Sequence, residues 1–260
     1  MALTYSSYLK LDELLRLQSP MSDGPEHDEM LFIVIHQVYE LWFREVLHEV
    51  DHLGALIDGD ETARAQHTLA RIRTILKTMV GQVDVLETMT PLEFLSFRDF
   101  LESASGFQSY QFRELEFALG KKDPTVLARF PDGSTARTNL EHRLHEPHLW
   151  RKVLAFLARA GYAIPDEILR REPEAAVEES SEVQAVLMAV YRGDPILSRL
   201  CELLVDVDEG LQEWRYRHVK MVERTIGTKI GTGGSPGAAY LKSTLFTPMW
   251  PDLWAIRGEF

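Results

Sequence analysis

His36 lies inside an apolar segment, directly after Phe32–Ile33–Val34–Ile35. Helical spacing places it one turn after Phe32, so the two rings share a helix face. A titratable ring in such a helix loses free energy of solvation unless it has a hydrogen-bond partner. The pattern therefore leaves two interpretations open: a hydrogen-bonded core histidine, or a histidine that contacts a bound molecule.

His218 lies in a second unusual segment, which concentrates positive charge in a chain of net charge -12. The run Trp214–Arg224 contains the cations Arg215, Arg217, Lys220 and Arg224 against Glu223. A solvated helix face is one explanation. The functional hypothesis is that His218 is an axial haem ligand, flanked by cations that meet the haem carboxylates.

Arg98 follows Phe94 by four residues in a segment rich in aromatic side chains. Many such arginines lie at the surface and cover apolar area with their stems. If Arg98 points inward, burial without an anion is costly. A substrate carboxylate held by two hydrogen bonds would satisfy the guanidinium.

Residues 231–237 form the only glycine-rich segment, Gly-Thr-Gly-Gly-Ser-Pro-Gly. It lacks the Gly-Lys-Ser/Thr ending of a P-loop, and no predicted strand precedes it, so both nucleotide-binding motifs are excluded. Residues 228–240 are then either a flexible connector or a mobile loop in which the Thr232 hydroxyl approaches a ligand.

A di-iron centre is a further hypothesis, because Glu45-x-x-His48 and Glu49-x-x-His52 have the spacing that carboxylate-bridged bundles use. Such a site needs one pair on each of two helices. Here both pairs overlap on one polar helix, which favours a solvated face.

The composition excludes several classes of protein. The chain has 260 residues, with 28 Lys and Arg against 40 Asp and Glu and a single cysteine. The acidic balance disfavours nucleic-acid binding, and one cysteine excludes disulfide frameworks and iron–sulfur clusters. We see no signal peptide and no apolar run of membrane-spanning length, so we expect a cytoplasmic protein that binds no membrane.

Helical periodicity recurs almost throughout the chain, and strand alternation is absent. We predict one all-α helical-bundle domain over residues 1–260, with an N-terminal arm at residues 1–20. The Met30–Ile35 segment, apolar on every side, indicates a buried helix. The main helices are predicted at residues 28–57, 61–89, 107–119, 140–160, 176–191 and 195–226.

Six blocks in order resemble the tryptophan 2,3-dioxygenase family. These blocks are Tyr5–Asp12, His27–Gln37 with Glu40–Trp42, Phe97–Arg98, Ser105–Ser109, Trp214–His218 and Ile230–Ser235. The resemblance covers residues 5 to about 257 and implies that both atoms of O2 are inserted across the indole C2–C3 bond of L-tryptophan. The product would be N-formyl-L-kynurenine, in the first step of the kynurenine pathway.

The same resemblance implies one haem b per subunit, ferrous iron in the active state, and a homotetramer whose N-terminal segments are exchanged between subunits. It implies that His218 is the axial ligand and that His36 accepts a hydrogen bond from the indole N–H. It assigns the remaining substrate contacts to Phe32, Phe94, Arg98, Ser105 and Thr232, with Tyr5 and Tyr8 reaching into a neighbouring subunit.

Two alternatives to this function remain. One is a family relative that uses the same fold and haem to insert a single oxygen atom into tryptophan or a methylated tryptophan. The other is a haem-binding or sensing helical protein without turnover, which would not require Arg98 and Thr232.

Overall fold

The computed structural model describes residues 2–24, 26–102, 104–227, 229 and 238–260. Within these residues all regular structure is helical, which confirms the predicted all-α fold. The α-helices are α1 Tyr5–Leu9, α2 Leu11–Leu14, α3 His27–Asp58, α4 Thr62–Leu86, α5 Pro91–Arg98, α6 Tyr110–Leu119, α7 Thr135–His145, α8 Leu149–Arg159, α9 Asp166–Leu169, α10 Ser181–Gly193, α11 Pro195–Ile226, α12 Ala238–Ser243 and α13 Pro251–Ala255. Short 3₁₀ helices span Asp99–Leu101, Gly106–Gln108, Pro124–Arg129 and Ile256–Glu259.

The three longest helices, α3, α4 and α11, form the centre of the bundle, with α4 packed between the other two. Their apolar stripes meet in one hydrophobic core, in which Leu53, Leu69 and Leu204 have no exposed surface. Cys201 is also fully buried in this core. No helix in the described part of the chain is long and apolar enough to cross a membrane.

Local sequence signals fix the ends of the helices that carry the candidate site. In α5, Thr90 and Glu93 form a capping box and Pro91 occupies the first turn, where its missing N–H costs no hydrogen bond. In α11, the Asp194 carboxylate accepts hydrogen bonds from the first-turn amides. These caps place Arg98 at the end of one helix and His218 well inside the other.

Two predictions about helices were wrong, and the helix predicted at residues 176–191 begins only at Ser181, where the Ser180 side chain caps it. Residues 140–160 form two helices, because Pro147 has no N–H and disfavours helical geometry at the residue before it. The start of α3 is not buried on every side, since Met30 is 43% exposed and Val34 is 38% exposed. In this segment only Ile35 among the apolar residues is itself buried, within a small apolar cluster.

The N-terminal arm carries apolar side chains that this chain does not cover. Tyr5 is 76% exposed, Tyr8 is 70% exposed and Leu15 is 72% exposed. Lys10, at φ 55°, separates α1 from α2. The connector that follows is fastened to α3, because the buried Glu29 carboxylate accepts hydrogen bonds from the Met21 and Ser22 amides.

Candidate active site

A cavity of about 220 Å³ lies between α3, α4, α5, α6, α11 and α12. One water molecule needs only about 10–15 Å³ on this measure, so the cavity has room for a much larger group. Its lining includes the predicted site residues Phe32, His36, Phe94, Arg98, Ser105 and His218. Residues that are far apart in the sequence are thus brought to one site.

One wall of the cavity is aromatic. The ring centroids of Phe32 and Phe94 are 5.7 Å apart, and Phe97 lies 5.5 Å from Phe32. Phe94 and Phe97 meet edge to face at 5.4 Å, and both are buried. These contacts join α3 to α5, and Phe32 and Phe94 present aromatic side chains to the cavity that suit an aromatic ligand.

His36 lies against this wall, with its ring centroid 4.1 Å from that of Phe32. Its Nδ1 is 2.7 Å from the Phe32 carbonyl oxygen. Since a carbonyl oxygen only accepts, Nδ1 carries the hydrogen. Burial lowers the pKa of His36, which favours the neutral ring. In that tautomer Nε2 is an acceptor.

His218 projects from α11 into the same cavity. Its ring stacks on Trp214, with centroids 5.4 Å apart and an interplanar angle of 11°. Burial, with a smaller contribution from His36, lowers the pKa of His218 to about 4. A neutral imidazole held by a stacked ring is the form that coordinates a metal.

Arg98 and Ser105 line the cavity near the end of α5. Arg98 is half-buried. The Ser105 hydroxyl accepts a hydrogen bond from the Phe107 amide at 3.4 Å and so begins the 3₁₀ helix Gly106–Gln108. Capping this 3₁₀ helix is therefore one structural role of Ser105.

A buried ion cluster forms another part of the cavity lining. Glu116 of α6 bonds Arg113 Nη1 through one carboxylate oxygen and Arg215 Nη2 through the other, each at 2.7 Å. All three residues line the cavity and are less than 9% exposed. Arg215 Nη1 is buried and has no hydrogen-bond partner among the described residues. The cluster therefore has one positive charge in excess.

The hypothesis that the whole basic run of α11 faces haem carboxylates needs correction. Arg217 bonds Asp84 and Glu87, and Arg224 also bonds Glu87. Lys220 pairs with Glu223 one turn away. Helical periodicity turns these three side chains away from the cavity, so only Arg215 of the four cations lines it.

Three predicted site residues are not among the side chains described at the cavity. Tyr5 and Tyr8 lie on the exposed arm. Thr232, with most of the segment 228–240, lies outside the described residues. The di-iron hypothesis receives no support, because the described residues contain no group of three possible ligands and Glu49 is paired with Arg71.

The residues that line the cavity fit a haem. A histidine that serves as an axial ligand must be neutral, and the lowered pKa of His218 favours its neutral imidazole. The macrocycle needs apolar walls, which Phe43, Phe112 and Trp214 provide. Its carboxylates need cations, and the excess charge at Arg215 meets that need.

Sequence reasoning missed Arg113, Glu116 and Phe112 as part of the site. Their i, i+3 and i, i+4 spacing in α6 was a usable signal, because it places the three side chains near one helix face. The sequence alone does not show that α6 packs against α3 with this face near the cavity.

Comparison with known proteins gives a consistent result. The family model described as tryptophan 2,3-dioxygenase matches residues 1–185 and 163–259. The tryptophan 2,3-dioxygenase of Herpetosiphon aurantiacus is 60% identical over 99% of this chain and 98% of its own length. Those of Anaeromyxobacter sp. (strain K) and Caulobacter vibrioides are 55% and 46% identical, over 99% of this chain and 96% and 98% of their own lengths.

Proposed function

The chain belongs to the tryptophan 2,3-dioxygenase family, and from this membership we propose that it oxidises L-tryptophan to N-formyl-L-kynurenine. Both atoms of O2 enter the product, across the C2–C3 bond of the indole. The proposal includes a haem b in each subunit, ferrous in the active state, and a cytoplasmic location in keeping with the single cysteine.

The observation that carries the proposal is the hydrogen bonding of the His36 ring. Its Nδ1 is engaged by the Phe32 carbonyl, so Nε2 is left as an acceptor beside an aromatic wall. An indole presents a flat apolar face and one N–H donor. We assign His36 to accept that hydrogen bond and so to orient the ring; an indole N–H is too weak an acid for easy removal.

The amino-acid end of tryptophan calls for a cation and a polar group. Arg98 is assigned to the carboxylate, because it lines the cavity at the end of α5, beyond Phe94. Phe94 and Phe32 are assigned to the indole faces. Thr232 is assigned to the ammonium group from the family resemblance alone, and Ser105 to a polar contact near the haem.

His218 is assigned as the axial ligand that holds the haem iron. When bound, the haem supplies the binding and activation of O2. The protein contributes position, because Phe32, His36 and Arg98 fix the substrate at three separate points. The apolar walls exclude water from the reacting atoms.

We also propose that the enzyme is a homotetramer in which Tyr5 and Tyr8 complete a neighbouring subunit's pocket. The exposure of both rings in a single chain supports this assignment. Met30 and Val34, exposed apolar residues on the helix that carries His36, offer a surface that such a neighbour would cover.

Turnover under ¹⁸O2 tests the function. We expect the haem-loaded protein to convert L-tryptophan into a product that carries two labelled atoms. One labelled atom would support the monooxygenase alternative, and haem binding without turnover would support the sensing protein. Either result contradicts the proposal.

A further inference from the structure

The buried cluster of Glu116, Arg113 and Arg215 is not explained by simple pairing of opposite charges. A buried guanidinium is costly unless a carboxylate neutralises it, and here one carboxylate serves two guanidinium groups. Lys121 adds a third cation, with its Nζ 3.6 Å from Glu116. Positive charge is thus in excess inside the protein.

The second carboxylate that acts on Arg215 does not remove this excess. Asp208, on the same helix as Arg215, is the other carboxylate whose charge acts on that guanidinium. Its oxygens accept hydrogen bonds from the backbone amides of Met249 and Trp250 and from Trp254 Nε1. Three cations and two carboxylates leave a net charge of +1.

The packing holds both guanidinium groups in place. The Phe112 ring lies beneath the two cations, with its centroid 5.5 Å from Arg113 Cζ and 5.9 Å from Arg215 Cζ. Phe112 in turn packs on Trp214, at 5.0 Å between ring centroids. Trp214 stacks on His218, so the cluster is linked by packed rings to the assigned iron ligand.

We propose that Glu116 is an electrostatic positioning residue: it orients Arg113 and Arg215 toward the carboxylates of the haem and, through the net charge of the cluster, sets the reduction potential of the iron. This inference rests on the proposed function, because it requires a bound haem. It deepens that function by assigning a role to a residue that contacts neither the iron nor the tryptophan.

The proposal predicts opposite effects from two substitutions in one cluster. Glu116→Gln removes a negative charge while retaining a hydrogen-bonding side chain, so it disfavours the more positive ferric state and raises the midpoint potential. Arg215→Gln removes a positive charge and lowers the midpoint potential. A merely loosened cavity admits water in both variants and shifts both potentials in the same direction.

Haem release gives a second readout. Arg215→Gln removes the guanidinium whose Nη1 has no partner in the described part of the chain, and we expect haem transfer to apomyoglobin to be about tenfold faster than in the unaltered protein. Glu116→Gln leaves both cations in place but has only one acceptor oxygen to orient them, so we expect a rate of transfer between those of the unaltered protein and Arg215→Gln. An unchanged rate for Glu116→Gln would contradict its positioning role.

Glu114→Gln is the matched control. Glu114 lies on the same helix and pairs with Arg143 at 3.2 Å, but it is not part of the cavity lining. We expect its midpoint potential to be unchanged. If Arg215→Gln does not retain the helical circular dichroism of the unaltered protein, Arg113→Gln replaces it and should also lower the potential.

The experiment is a spectroelectrochemical titration of the haem-loaded protein and these variants. A rise for Glu116→Gln with a fall for Arg215→Gln supports the proposal. Shifts of one sign, or shifts no larger than that of Glu114→Gln, overturn it while leaving the dioxygenase function intact. Failure of the unaltered protein to bind haem would instead overturn the proposed function.

Discussion

The Nδ1 atom of His36 donates a hydrogen bond to the carbonyl oxygen of Phe32, one helical turn earlier, over 2.7 Å. This bond selects the tautomer of the neutral ring and leaves Nε2 to accept. The same helical turn places the two rings 4.1 Å apart. One turn of α3 therefore provides both an apolar surface and a hydrogen-bond acceptor for a flat heteroaromatic ligand.

The acceptor role of His36 predicts a dependence on the substrate N–H. We expect His36→Ala to lower kcat/KM for L-tryptophan by about tenfold, the order of one buried hydrogen bond. The analogue in which oxygen replaces the indole N–H has no such bond to lose, so its kcat/KM should fall much less. Steady-state kinetics with both substrates checks this, and equal losses would remove the acceptor role.

The carboxylate role of Arg98 predicts a different selectivity. Arg98→Leu should weaken binding of L-tryptophan by about ten- to a hundredfold, because a charge-assisted bond is lost. Binding of 3-methylindole, which has no amino-acid group, should change little. Spectral titration of the haem-loaded protein measures both affinities. A similar weakening for the two ligands would show that Arg98 acts on the cavity as a whole.

The exposed arm predicts complementation between subunits. A chain lacking residues 1–20 keeps its own His36 but cannot supply an N-terminal arm to a neighbouring subunit. A His36→Ala chain has an intact arm but lacks the histidine. Mixed oligomers should therefore recover part of the activity that each variant lacks alone. Co-expression with two different tags, followed by tandem purification and assay, provides the measurement. A fully active monomer of the unaltered chain would refute the exchange.

Acid sensitivity is predicted from a histidine outside the cavity. His148 caps α8, where its Nδ1 accepts from the Arg151 amide at 3.2 Å. Burial, together with the charges of Lys122 and Arg151, lowers the pKa of His148 to about 4. The unfolded chain takes up this proton near pH 6.5, so between pH 6.5 and 4 it binds more protons than the folded chain. The free energy of unfolding should then fall by roughly 2–3 kcal/mol over this window.

His148→Ser isolates this contribution, because serine keeps a capping acceptor but does not titrate. Urea unfolding of the haem-loaded protein between pH 4 and 7 should show a shallower loss of stability for this variant. His145→Ser, at an exposed position, serves as the control and should follow the unaltered protein. Parallel curves for all three proteins would exclude His148 as a source of acid sensitivity.

Local patterns were sufficient to predict much of the fold. Pro195 and the apolar spacing after it located α11. The same reasoning failed at Pro147, because a helical pattern on both sides concealed a break that the proline imposes. It also failed at Met30, because an apolar run does not reveal which of its faces the same chain covers.

The site could be predicted where a residue is unusual in its own segment. His36 and His218 differ from their neighbours, so the amino-acid sequence alone marks each of them as a candidate. Glu116 is not marked in this way, because an acidic residue in an amphipathic helix is ordinary until α11 brings Arg215 to it across 99 positions of sequence. Conversely, the charge of Arg217 suggested a contact with a cofactor, but in the structure Arg217 pairs with Asp84 instead.

The absorption spectrum of the reduced, haem-reconstituted protein, recorded with and without L-tryptophan, tests the central assignment most directly. For the unaltered chain we predict a full Soret band that changes when tryptophan is added. His218→Ala should lose haem and the band with it, whereas His145→Ala should keep both. A His218→Ala protein with a full Soret band and an unchanged axial-ligand signature would contradict the account.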